Sequence, residues 1–108
     1  MILIFGGAYQ GKTAYAAENF PNMKPINNYH TLVHEQILAG INPSEYLLTH
    51  LEEYRDCVII CDDISSGIVP LDATMRSLRE EVGRALSILS KESDAVYRIF
   101  CGLPLQLK

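Results

Sequence analysis

The chain has 108 residues, 48% of them hydrophobic, and a net charge of −4, which sets the expectation of a single domain over residues 1–108 with a thin globular core. That acidic balance argues against nucleic acid or an anionic membrane surface as the main partner. No apolar run approaches the ~20 residues that cross a bilayer, and residues 1–5 carry no basic leader, so neither a membrane span nor a signal peptide is expected and a cytoplasmic location is.

Residues 1–5 form a short apolar run stopped by Gly6-Gly7, the pattern of a strand buried on both faces. Residues 12 to about 19 read as a helix with Ala14, Ala16 and Ala17, closed by Pro21 and Pro25. A short second strand is expected at 26–29. A helix follows at 31–39, with Leu32, Ile37 and Leu38 as its apolar positions and Gly40 as its stop. Asn42-Pro43 opens another, in which Leu47, Leu48, Leu51 and Tyr54 recur at helical spacing. Residues 57–61, Cys-Val-Ile-Ile-Cys, are the clearest buried strand and end in Asp62-Asp63. The longest helix is expected from 71 to about 91, with a stripe of Leu71, Met75, Leu78, Val82, Leu86 and Leu89. Asp72 in its first turn and Lys91 at its far end agree with the helix dipole. Residues 95–101 read as a last strand stopped by Gly102, and residues 102–108, taken alone, as a tail. Strands alternating with helices imply an α/β fold with a mostly parallel sheet flanked by helices on both faces. The three cysteines, Cys57, Cys61 and Cys101, lack zinc-like spacing and are expected as buried free thiols in a reducing compartment.

The segment Gly6-Gly7-Ala8-Tyr9-Gln10-Gly11-Lys12-Thr13 fits the phosphate-loop pattern G-x-x-x-x-G-K-T. Glycines let the backbone wrap close to phosphate oxygens with successive N–H groups turned inward. Lys12 is placed to reach the β- and γ-phosphates and the Thr13 hydroxyl to ligate Mg²⁺, while the following helix N-terminus adds a favourable dipole. The loop follows an expected strand and opens an expected helix, which is the context the motif requires. Asp62 and Asp63 stand at the tip of a neighbouring strand, where a carboxylate holds the metal or its water. The expected ligand is therefore ATP or GTP with Mg²⁺; no motif reads the base.

The opening through Gly11-Lys12-Thr13 resembles the start of the adenosylcobinamide kinase / adenosylcobinamide-phosphate guanylyltransferase family, a hydrophobic strand followed by GGARSGKS. Ser66-Gly67-Ile68-Val69-Pro70 is similar to the family's NEVGxGIVP segment, with Asp62-Asp63 where its Asn-Glu stands. Arg76, Arg79 and Gly83-Arg84 match R-x-x-R-x-x-x-G-R, and Gly102-Leu103-Pro104-Leu105-Gln106-Leu107-Lys108 is close to AGxPLxLK. The resemblance implies a RecA-like phosphate-loop fold, reduced in size, and a trimeric assembly with nucleotide near subunit boundaries. It also implies two reactions of cobalamin assembly. The first phosphorylates the aminopropanol hydroxyl of adenosylcobinamide; the second transfers GMP from GTP to that phosphate through a guanylylated histidine. Lys12, Asp62 and Asp63 would carry the first, with Arg76, Arg79 or Arg84 reaching a phosphate.

The segment that bears the family's histidine has no counterpart between Pro21 and Asp56, which reads as a shortened middle. The guanylyl-acceptor role is therefore carried onto none of His30, His34 and His50, and the guanylyltransferase step is left open. The other class of function that fits is a nucleotide-binding module without catalysis.

Overall fold

A computed structural model describes residues 1–63 and 73–108, with the side chain of Thr74 left undescribed. The expected helix start at Leu71 with Asp72, and the Ser66-Gly67-Ile68-Val69-Pro70 segment, lie outside the described residues.

The apolar run at the front of the sequence forms β1 (Ile2–Gly6), which has a parallel partner along each edge. Its side chains alternate between two cores, Leu3 into one and Ile2 and Ile4 into the other. A strand occupied on both edges and both faces has no position for a polar side chain, hence the unbroken apolar run. On one side lies β3 (Cys57–Asp62), with β2 (Lys24–Ile26) beyond it. On the other lies β4 (Ala95–Phe100), with β5 (Leu103–Gln106) beyond it. The sheet order is β2-β3-β1-β4-β5, parallel throughout except for the antiparallel β4–β5 pair.

Two strand expectations are corrected. The second strand comes earlier than 26–29, because Asn28 takes a left-handed conformation (φ 54°) that ends the extended stretch and opens a helix at Tyr29. Residues 102–108 are more than a tail. Cys101 and Gly102 take φ of 51° and 75°, as the favoured two-residue hairpin turn requires, and the chain returns as β5. Pro104 is tolerated there because β5 is an edge strand.

Among the described residues, one face of the sheet is covered by α1 (Lys12–Asn19), through Ala16 against Ile2, Ile4, Val58, Ile60 and Ile99. The rings of Tyr15, Phe20 and Tyr97 pack together beside this layer, with centroids 5.4–6.3 Å apart. The opposite face carries α2 (Tyr29–Leu38), α3 (Pro43–Thr49) and α4 (Ala73–Glu92), which bury Tyr29, Val33, Leu47, Val82, Ala85 and Leu89. In α2 the buried positions are Tyr29, Val33 and Gln36, and Leu38 is 69% exposed. At about 3.6 residues per turn Leu38 falls on the face opposite the buried Tyr29, and so points outward.

The helix expected to run on to Tyr54 stops at Thr49. Asn42 caps its start by accepting the N–H of Ser44 and Glu45, with Pro43 in the first turn. At its end Thr49 Oγ1 bonds back to the carbonyls of Glu45 and Tyr46. A 3₁₀ turn, Leu51–Tyr54, follows and buries Tyr54. In α4 the inward positions include Leu78, Val82, Ala85 and Leu89, whereas Met75 is exposed. Cys57 and Cys61 are buried free thiols, but Cys101, in the hairpin turn, is exposed. Among the described residues no helix is long and apolar enough to cross a membrane.

Gly6 takes φ 156°, and a methyl group on its Cα would collide with the Ile99 carbonyl of β4. Gly6→Ala should lower unfolding free energy by more than about 2 kcal/mol, because both partners are backbone and neither can yield; urea denaturation measures this. Burial pushes the Cys61 thiol from 9.0 up to about 12, and burial also raises the Tyr29 hydroxyl. The folded state then holds these protons more tightly than the unfolded one. Their contribution is complete below pH 9.0 and is lost as pH rises toward about 12. Unfolding midpoints should fall across that window, and Cys61→Ala should flatten the fall.

Candidate phosphate-binding site

The pairing register sets Gly6 of β1 opposite Asp62 of β3, and the Asp63 N–H donates to the Gly6 carbonyl at 2.8 Å. From Gly6 the chain rises into a loop whose apex, Tyr9, has φ 60° and a fully exposed ring. Gly11, at φ 91°, leads directly into α1. That helix has neither a side-chain cap nor an acidic residue in its first turn. Its leading N–H groups thus remain available to an anion. Residues 8–14, with Asn28, Ile60 and Asp62, line a cleft of about 420 Å³.

Lys12 is buried to 6% exposure. Its ammonium donates to the Gly7 carbonyl at 2.6 Å and pairs with Asp62 Oδ1 at 2.7 Å. On the far side of Asp62 stands His30, in the first turn of α2. Its Nδ1 accepts the Asp62 N–H at 3.2 Å, and its Nε2 lies 3.6 Å from Asp62 Oδ2. Three side chains from three elements thus converge as Lys12, Asp62 and His30. A second set of contacts fastens the loop from the other flank. The Gln10 carbonyl accepts the Gly102 N–H at 2.9 Å, and Gln10 Oε1 accepts the Cys101 N–H. The β4–β5 turn therefore holds the loop by its backbone.

Lys12, Thr13 and Asp62 all border the cleft. Gly6 and Gly7 lie under the loop, receiving Asp63 N–H and the Lys12 ammonium on their carbonyls. Asp63 meets the loop through its backbone, and among the described residues lining the cleft it is absent. So are Arg76, Arg79 and Arg84; Arg84 pairs with Glu81 one turn earlier on α4. His34 sits half-buried one turn beyond His30. His50 stacks on Tyr46 at 3.9 Å, with its Nδ1 2.7 Å from the Tyr46 carbonyl. Among the described residues no three His, Cys, Asp or Glu side chains gather as an all-protein metal centre.

Among the described residues, the contact of Gln10 with the β4–β5 turn and that of His30 with Asp62 are not announced by the sequence. Gln10 occupies a variable position of the loop motif, and a histidine in a first helical turn carries no motif at all. The nearest signal for the Gln10 contact is Gly102, which marks a turn without showing what it touches.

A sheet with β1 at its centre, its end turning through a glycine-bounded loop into α1, is the architecture of the phosphate-loop class of α/β proteins. Within that class, the sequence profile of the cobinamide kinase / cobinamide phosphate guanyltransferase family matches residues 27–107, and the chain belongs to this family. The match takes in 81 of 108 residues (27 to 107 inclusive) and runs through the middle stretch that shows no family motif by eye. The phosphate loop precedes the matched span and rests on its own pattern and geometry. Membership gives the chain a role in cobalamin biosynthesis, in a family of nucleotide-using transferases that act on cobinamide. No curated protein matches the chain.

The turn that grips Gln10 also presents the exposed thiol, which makes thiol labelling a direct check of this flank. In the native protein Cys101 should react with an aromatic disulfide reagent while Cys57 and Cys61 do not. Absorbance should report one equivalent released natively and three in denaturant.

Proposed function

We propose that residues 1–108 act as one nucleotide-binding domain that transfers the γ-phosphoryl group of ATP or GTP to the aminopropanol hydroxyl of adenosylcobinamide. The observation that carries this reading is the pair of buried Lys12 and half-buried Asp62, 2.7 Å apart, at the wall of a cleft bordered by Thr13 and the leading residues of α1. In this arrangement the ammonium is held between the Gly7 carbonyl and Asp62. An arriving triphosphate offers it a more highly charged partner, so Lys12 turns to the β- and γ-phosphates and Asp62 is released toward the metal side.

Thr13 and Asp62 supply hard oxygen donors beside the phosphate position. They fit Mg²⁺, which takes one or two carboxylates, keeps several waters and completes its shell with phosphate oxygens; Asp63 is the second carboxylate at this strand end. When bound, Mg²⁺ neutralises charge on the transferring group. The backbone of residues 8–13 holds the phosphates in place, and Lys12 stabilises the charge that develops between leaving and transferred oxygens. This chemistry is mainly positioning and electrostatics, so a small site suffices.

The exposed apolar residues Phe100, Leu103, Leu105 and Leu107 beside and along β5 support burial against other copies, in keeping with a homo-oligomer, the trimer that the family resemblance implies. The two buried free thiols agree with a cytoplasmic, reducing compartment.

Incubation with ATP or GTP, Mg²⁺ and adenosylcobinamide should yield the phosphorylated product by mass spectrometry. Lys12→Ala should reduce nucleotide affinity or turnover by about 10- to 100-fold, the loss of a charge-assisted contact of about 1.5–3 kcal/mol. Nucleotide binding without transfer would leave a module without catalysis. A covalent GMP adduct formed from GTP would add the guanylyltransferase step. Unchanged affinity in Lys12→Ala would remove the loop assignment.

A further inference from the structure

We infer that His30 is a positioning residue: it fixes the end of β3 so that the Asp62 carboxylate faces the phosphate loop. The inference rests on the reading of Asp62 as the metal-side carboxylate.

The reason lies in the sheet. Along β3, successive backbone N–H groups point to alternate sides. Asp63 donates toward β1, to the Gly6 carbonyl, so the Asp62 N–H points the other way, toward β2. But β2 ends at Ile26, paired with Ile59, three residues short of Asp62. The Asp62 N–H is therefore a donor at a strand end whose neighbour has run out. A donor left there without a partner would loosen the strand tip. His30 Nδ1 takes that N–H at 3.2 Å, standing where a further residue of β2 would.

The placement of His30 follows from its neighbours. Asn28 turns the chain at φ 54°, and Tyr29, 1% exposed, is anchored in the core. The next side chain is thereby brought against the tip of β3.

The same contact fixes the ring's proton. Nδ1 accepts, so in the neutral imidazole the proton sits on Nε2, 3.6 Å from Asp62 Oδ2. That is beyond a hydrogen bond but close enough for the N–H dipole to favour Oδ2 on the His30 side. Oδ1 is left on the loop side, where Lys12 meets it at 2.7 Å. With Nδ1 accepting and Nε2 protonated, the ring has no free lone pair for a metal or a phosphorus atom. His30 therefore acts through Asp62 and not on the ligand.

The test uses the full chain, a fluorescent N-methylanthraniloyl ATP or GTP, and Mg²⁺ titrations. Nucleotide affinity in EDTA should stay within about twofold of wild type in His30→Ala. The Mg²⁺ concentration giving half the binding response should rise about 10-fold or more, the usual effect of removing a partner that orients a metal ligand. His30→Asn keeps an acceptor near the Nδ1 position and should restore the response to within about threefold; His30→Gln, with its acceptor displaced, should not. If His30→Ala fails to fold, the Asn and Gln variants carry the comparison between them.

Asp62→Asn separates the two layers of the argument. Loss of the Mg²⁺ response in Asp62→Asn with a wild-type response in His30→Ala overturns the inference and leaves the role of Asp62 intact. A wild-type Mg²⁺ response in Asp62→Asn overturns the metal reading itself. Equal losses with and without Mg²⁺ in His30→Ala, unrescued by Asn, make His30 a packing residue and overturn the inference.

Discussion

The register between β1 and its two parallel neighbours is the constraint on which the site depends. Gly6 stands opposite Asp62 on one edge and Ile99 on the other, and its Cα lies so close to the Ile99 carbonyl that only hydrogen fits. Because β1 and β3 end together at Gly6 and Asp62 while β4 runs on to Phe100, the loop leaves the sheet between a carboxylate on one flank and the β4–β5 turn on the other. A slip of one residue would exchange the faces of every side chain. It would send Leu3 into the layer under α1 and Ile2 and Ile4 under α2 and α4. The two cores thus lock the same register that brings Asp62 to Lys12.

Charge in this site is arranged locally, which reconciles an acidic chain with an anionic ligand. Lys12 is almost wholly buried, and a buried ammonium is stable only with partners. Among the described residues it has the Gly7 carbonyl and Asp62. Both are groups that a triphosphate and its metal would displace or share. The helix adds its leading N–H groups and, lacking an acidic residue in its first turn, does not oppose an anion. The positive potential is thus confined to one loop and one helix end, while the net charge of −4 is spread elsewhere.

The sequence discloses what repeats or what a motif compels. The continuous apolar runs of residues 2–5 and 57–61 and the glycine–lysine–threonine pattern each have one comfortable structural outcome, and α1 and β3 fall within a residue of where they are expected. Phase and partnership are less visible. Leu32, Ile37 and Leu38 look like one buried stripe, but Leu32 and Ile37 flank the buried face of Tyr29 and Val33 while Leu38 lies opposite it. Leu103 to Gln106 is short and contains a proline, which masks its alternating leucines; it becomes a strand because Phe100 and Leu103 can close a two-residue turn. His30 is silent in sequence for the same reason. Its role depends on where β2 stops, and that is settled between strands. The turn from β1 into α1, by contrast, is legible without tertiary knowledge, because its glycines are written in the sequence.

The hairpin that holds Gln10 has a bearing on the order in which the molecule assembles. The loop is made before the turn that fastens it, since the two backbone N–H groups that bond to Gln10 come from Cys101 and Gly102. A nascent chain emerging at about 5–20 residues per second exposes residues 6–13 well before their clasp exists. β1 meanwhile lacks β4 along one edge and β3 along the other. Long-range parallel pairing of this kind is slow to form. The loop is therefore translated before the strands and the turn that hold it, so a ribosome-bound intermediate ending before β4 would have the motif without the site.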